Sequence, residues 1–174
     1  ARLDAAARRD PRAWTRYLPE SWEGFRRDRL TELVEEIVTA AAAARPGLTM
    51  SAAVVPDAAL AREQKAQDWA AWARDGLLDV VCPMVYTTDA DLFARQVASV
   101  RDTVGDVAVW AGVGAYRLTA AQTVSHVRLA RRSGATGVAL FSYDSLVSAR
   151  DRGARYFSVL RPALLEDDSV LTAR

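Results

Sequence analysis

Two hydrophobic rhythms alternate along the chain, one near the helical repeat and one of short continuous apolar runs. From Ser21 onward, Trp22, Phe25, Leu30, Leu33, Val34, Ile37 and Val38 recur close to helical spacing. They predict a helix from Trp22 to Ala44, ended by the run Arg45-Pro46-Gly47. Leu48 to Pro56 is short and apolar enough for a buried strand. Asp57 to Asp75 reads as a second helix that stops at Gly76. Leu77 to Tyr86 is a second strand, apolar on both faces apart from Asp79 near its start. Thr88 with Asp91 resembles a capping box, Asp replacing the preferred Glu or Gln, for a helix that runs to about Val104 and ends at Gly105. Asp106 to Tyr116 is the third strand. Thr119 with Gln122 forms a better capping box, for a helix that continues to Ser133 and stops at Gly134. Thr136 to Asp144 is the fourth strand, and Ala149 to about Leu160 the last helix.

Four strand-helix units of about 30 residues each predict right-handed βαβ connections and an α/β fold with a parallel sheet. Near-continuous apolar strands agree, because a parallel sheet is covered on both faces. Two architectures satisfy the pattern: an open doubly wound sheet, or part of a (β/α)8 TIM barrel. A complete barrel needs about 250 residues. The 174 residues present divide into residues 1–20, a linker or the end of a preceding segment; 21–161, one folded unit; and 162–174, a polar C-terminal tail expected to be loosely attached.

Composition narrows the function classes. With 51% hydrophobic residues the chain supports one sizeable core. Its 23 Lys and Arg against 22 Asp and Glu leave a formal charge of +1, so no global field recruits nucleic acid or an acidic membrane. A single cysteine, Cys82, excludes an internal disulfide and a cysteine zinc cage, and its apolar setting suits a small buried hydrophobe. No apolar run approaches the roughly 20 residues of a membrane span, and no cleavable signal pattern is present at the start. The chain begins at Ala1, which permits a processed or truncated product.

Several signals lead away from cofactors. Gly112-Val113-Gly114 opens like a dinucleotide fingerprint, but Arg117 stands where the third glycine belongs. The glycines of Ser133-Gly134-Ala135-Thr136-Gly137 precede a strand and are turn chemistry. His126 lies inside a helix, where a surface or packing role is expected rather than a ligand or base. No metal constellation is visible, so no cofactor or metal is expected.

The blocks Trp22 to Ile37 (WEGFRRDRLTELVEEI), Gln67 to Asp89 (QDWAAWARDGLLDVVCPMVYTTD), Ala111 to Gln122 (AGVGAYRLTAAQ) and Gly134 to Leu146 (GATGVALFSYDSL) resemble successive segments of the glycosyl-hydrolase-like family ten proteins of bacteria. Two tryptophans, a helix stop and a strand opening at fixed spacing, Trp69 to Tyr86, carry most of that resemblance. It spans Trp22 to Leu160 and implies the C-terminal half of a (β/α)8 barrel, strands five to eight, preceded by a helix. The N-terminal half of the barrel, whose fourth strand end is thought to contribute acidic catalytic groups in the family, has no counterpart here.

In a parallel barrel the chemistry sits at the C-terminal strand ends. Those ends offer Asp57; Tyr86, Thr87, Thr88 and Asp89; Gly112, Gly114, Tyr116 and Arg117; and Ser142, Tyr143 and Asp144. Glycoside hydrolysis uses a pair of carboxyl groups. Asp144 is the local catalytic candidate, since alternation puts Val138, Leu140, Ser142 and Asp144 on one face of increasing polarity; its other reading is a turn or helix cap. Asp89 is a substrate-binding candidate that also suits a helix start. Tyr86, with Tyr116 and Tyr143, offers rings to stack on sugars, or packs in the core. Trp110 shares a face with Gly112 and Gly114, glycines that let a substrate come close. Trp69 and Trp72, on a helix leading into a strand's start, are expected to pack against the barrel wall.

The resemblance implies a glycoside hydrolase acting on a polysaccharide or oligosaccharide, plausibly a bacterial cell-wall glycan, with an exported or cell-envelope location. The alternative is a noncatalytic carbohydrate-binding or scaffolding half-barrel. On either reading this chain alone is expected to be inactive, and its partners are the glycan and the missing half of the barrel.

Overall fold

The computed structural model describes residues 12, 14–147 and 150–165. A short helix α1 (Trp14–Tyr17) leads into a long one, α2 (Pro19–Ala44), so helix begins within the stretch expected as linker. Then follow β1 (Ser51–Val54), α3 (Ala58–Lys65), α4 (Trp69–Arg74), β2 (Val80–Val85) and α5 (Ala90–Val104). The chain continues through β3 (Ala108–Gly114), a 3-10 turn (Ala115–Arg117), α6 (Ala120–Arg132), β4 (Gly137–Phe141), α7 (Tyr143–Val147) and α8 (Arg150–Leu165). The expected linker's first eleven residues and residues 166–174 of the expected tail lie outside the described residues.

All strand pairs are parallel and the sheet order is β1-β2-β3-β4, the order of the sequence. A doubly wound sheet reverses its order at a switch point and carries helices on both faces. Here there is no reversal, and among the described residues the helices cover one face only. Val81 and Val85 on β2, and Val109, Ala111 and Val113 on β3, are sealed beneath α5 and its neighbours. On the opposite face Cys82 and Met84 are half-buried, and Trp110, Ala139 and Phe141 are exposed. Helices α4, α5, α6 and α8 stand side by side in chain order outside the strands. This is half of the wall of a (β/α)8 barrel, seen with its inner face open.

Hydrogen bonds fix the two ends of the first strand pair. At the entrance of β2 the Asp79 carboxylate accepts the Met50 N–H at 2.7 Å, and the Met50 carbonyl takes the Asp79 and Val80 N–H groups. At the exit of β1, Val55 donates to Gln67 Oε1 (3.2 Å), and its carbonyl accepts the indole N–H of Trp69 (3.0 Å). These contacts explain why the single helix expected over Asp57 to Asp75 is two. Ala66 turns left-handed (φ 58°) between α3 and α4, which brings Gln67 and Trp69 onto the end of β1. Trp69 and Trp72 are buried in the wall as expected, and the Trp72 indole donates to Thr31 Oγ1 at 2.9 Å, pinning α2.

Helix α2 departs from the amphipathic expectation. Leu30 and Val34 lie against the core, but no residue of α2 is fully buried, and Trp22, Phe25, Leu33 and Ile37 form an exposed stripe. The helix caps follow the sequence pattern more closely. Thr119 and Gln122 make the reciprocal box at the start of α6, and Gly76, Gly105 and Gly134 take positive φ at helix ends. The Thr88 and Asp91 box is replaced by Asp89, whose carboxylate accepts the Leu92 N–H at the start of α5. The chain does not leave the fold at Pro162. Helix α8 continues to Leu165 with Ala163 buried, because the Arg131 guanidinium reaches the Ala163 and Leu164 carbonyls and satisfies the helix end.

Candidate functional site

The open face reaches its C-terminal rim at Tyr86, Gly114 and Phe141. Met84 lies opposite Gly112, Gly112 opposite Ala139, and Gly114 opposite Phe141. A Cβ on Gly112 would meet the Pro83 carbonyl oxygen at 2.6 Å and Tyr86 Cε1 at 3.3 Å; one on Gly114 would meet Tyr86 Cβ at 3.0 Å. The two glycines therefore leave room for a side chain of the protein itself. Tyr86 crosses the bare backbone of β3 and stacks on Phe141, ring centroids 5.1 Å apart and planes 13° from parallel. This corrects their expected role of admitting substrate directly.

Tyr116 closes the cluster edge-on, 6.3 Å from Tyr86 and 6.0 Å from Phe141, at 81° to each. The Tyr86 carbonyl is held by Arg117 Nη1 at 2.9 Å. Tyr86 is half-buried, whereas Tyr116 (48%) and Phe141 (50%) present half their surface to solvent. Burial, and to a smaller degree the neighbouring Tyr116 and Cys82, pushes the Tyr86 hydroxyl above its usual pKa. It is a neutral phenol at physiological pH, able to donate and accept hydrogen bonds. Burial likewise raises the Cys82 thiol beneath it, which disfavours a nucleophilic thiolate. Lower on the same face the Trp110 indole lies across Gly137, where a Cβ would stand 2.5 Å from its Cδ1.

The acidic candidates are placed differently from the rings. Asp89 is committed to α5 through Leu92, with its own N–H on Thr87 Oγ1 at 3.1 Å, and Asp57 caps α3 by accepting Leu60 N–H at 2.9 Å. Strand β4 ends at Phe141, and the chain passes through a cis Phe141–Ser142 peptide into α7. Val138 and Leu140 pack toward the helical core, so the inward residues of β4 are Gly137, Ala139 and Phe141. The face predicted to lead from Val138 to Asp144 does not exist, because the strand is shorter than expected. Asp144 instead stands exposed in the first turn of α7, still at the rim end of β4.

Tyr143, 68% exposed, makes no ring contact with the cluster. The structure thus brings together Tyr86, Tyr116, Gly112 and Gly114, and sets Asp89 and Tyr143 aside. Sequence reasoning passed over Phe141. Alternation counted from Gly137, the glycine beneath Trp110, points Phe141 inward once the strand is ended there. His126 is a packing residue: it is buried edge-on against Phe93 at 4.7 Å, and its Nδ1 lies 2.9 Å from the Gln122 carbonyl. Among the described residues no cluster of His, Cys, Asp and Glu is arranged to hold a metal. No helix among them is long and apolar enough to cross a membrane.

Fold and rim together define a parallel-barrel half with an aromatic platform at its strand ends. The family model for glycosyl hydrolase-like 10 matches residues 4–130, and the chain belongs to that family. The matched region starts ahead of Trp22, where the resemblance was expected to begin, and stops within α6; it includes Tyr86, Gly112, Gly114, Tyr116 and Arg117. Neither the curated proteins nor the solved structures yielded a match.

Proposed function

We propose that this chain forms the glycan-binding half of a glycoside hydrolase that cleaves a polysaccharide, a bacterial cell-wall glycan being the substrate class the family suggests. The observation that carries this reading is the Tyr86, Tyr116 and Phe141 platform at the strand ends of a chain belonging to a glycosyl hydrolase-like family. Sugar rings present C–H faces that stack on aromatic rings, and a phenol hydroxyl reaches their hydroxyl groups. Asp144 is the carboxyl group we assign to acid or base chemistry, with the second carboxyl of the pair on the other half of the barrel. That other half is the partner best suited to the open edges of β1 and β4 and to the α2 stripe of Trp22, Phe25, Leu33 and Ile37.

One observation favours a second reading, a glycan-binding protein without hydrolysis. Two of the three strand-end aspartates, Asp57 and Asp89, serve as helix caps. Turnover of purified cell-wall glycan by the full-length protein, with Asp144→Asn beside it, tests the two. Hydrolysis that falls by orders of magnitude in the variant, with folding intact, supports the enzyme. Full activity in Asp144→Asn returns Asp144 to a structural role, and binding without turnover in the unaltered protein favours the second reading.

A further inference from the structure

We infer that Arg117 forms a carboxylate subsite beside the aromatic platform, so that the glycan bound there carries acidic sugars. The inference rests on the platform proposed above and names its substrate class. Arg117 ends the 3-10 turn that follows β3, and its guanidinium lies exposed at the rim, anchored by the 2.9 Å bond from Nη1 to the Tyr86 carbonyl. A guanidinium carries five N–H donors in a planar fork, and this one bond engages a neutral acceptor. Arg29, Arg62 and Arg74 each pair with a carboxylate, from Glu32, Asp68 and Asp75 respectively; Arg117 has no such pair among the described residues. Of the three strand-end carboxylates, Asp57 and Asp89 are turned to their own helix caps, and Asp144 stands in the first turn of α7. A positive fork without a countercharge is therefore held in place beside rings that stack sugars.

The geometry suits a uronic acid. Its ring face lies on Tyr116 or Phe141, while its carboxylate projects from the ring edge, outward along the rim where the guanidinium stands. Charge-assisted bonds of this kind are roughly twice as strong as neutral ones. Holding the head through the Tyr86 carbonyl also reduces the side-chain freedom lost when the ligand binds. A neutral sugar receives the stacking and hydroxyl contacts only, so the acidic form is selected.

The test is calorimetric titration of the full-length protein with matched oligosaccharides of equal length and linkage: gluco- against glucurono-, and galacto- against galacturono-oligomers. The readout is the ratio of affinities within a pair. We expect the acidic member to bind about ten- to a hundredfold more tightly at low salt, with the ratio shrinking in sodium chloride of about 0.5 M, where the screening length is roughly 4 Å. The ratio falls to about one in Arg117→Gln and to an intermediate value in Arg117→Lys, which keeps the charge but loses the fork and its anchor on the Tyr86 carbonyl. Tyr116→Ala weakens both members and leaves the ratio standing. A ratio of one in the unaltered protein, or one that persists in Arg117→Gln, overturns the inference and leaves the platform. Failure of both acidic oligomers to bind overturns the inference, while the platform stands or falls separately on the binding of cell-wall oligosaccharides.

Discussion

Gly112 is a position where the neighbouring backbone leaves no room for a side chain. Its Cβ would fall 2.6 Å from the Pro83 carbonyl oxygen and 3.2 Å from Met84 Cα, both backbone atoms of the neighbouring strand. Carbon and oxygen at that distance overlap by more than about half an ångström, and neither can rotate aside. Relief requires β2 and β3 to separate at the Met84 and Gly112 pair, although their other face is packed against the helices. Overpacking of this kind costs about 1–3 kcal/mol, and a backbone-to-backbone clash belongs at the upper end. Two substitutions calibrate the expectation. At Gly137 the close atoms belong to the Trp110 indole, which is 42% exposed and free to swing out, so Gly137→Ala should cost less and shift tryptophan emission. At Gly24, inside α2, the nearest atom is Arg27 Nη2 at 3.9 Å, and Gly24→Ala should gain roughly 0.5–1 kcal/mol from helix propensity. Urea unfolding of the full-length protein and the three variants measures all of this. A loss under about 0.5 kcal/mol for Gly112→Ala refutes the packing argument.

Four further outcomes follow from the contacts. Trp72→Phe keeps an aromatic ring but loses the bond to Thr31 and leaves a small void, and should cost about 1–3 kcal/mol and speed hydrogen exchange in α2; unchanged exchange there contradicts the pinning role. Thr119→Ala removes the capping box of α6 and should cost about 0.5–2 kcal/mol by the same unfolding assay. Cys82, Tyr86 and Tyr156 all have pKa values raised by burial, so the folded state holds their protons more tightly than the unfolded chain. Their contribution is complete below their ordinary values, about 9 and 10, and is lost as pH rises through the folded values; stability flat from pH 9 to 11 contradicts this. Finally, the purified 174-residue chain should hydrolyse no glycan, and robust turnover by it sinks the division of the catalytic pair between two halves.

How much of this was legible depended on the range of the interaction. Strand-helix alternation, the Thr119 and Gln122 box and the helix-ending glycines are local, and they were read directly. The break at Ala66 was not, because its cause is a pair of bonds spanning twelve and fourteen residues, from Gln67 and Trp69 to Val55. Continuation of α8 past Pro162 depends on Arg131, more than thirty residues earlier. At the rim, Tyr86 and Tyr116 were chosen for ring chemistry and strand position, and the structure joins them. Phe141 was missed because extending β4 to Asp144 inverted the choice of face. Gly112 and Gly114 were recognised as sites of close approach, yet what approaches is Tyr86, a partner that only the register reveals.

The central claim is that a glycan lies on the Tyr86, Tyr116 and Phe141 rings. Its most direct measurement is the affinity of the full-length protein for soluble cell-wall oligosaccharides, compared with that of the Tyr116→Ala and Phe141→Ala variants, each confirmed folded by circular dichroism. Loss of either ring should weaken binding about tenfold or more. Affinity unchanged in both variants would contradict the claim.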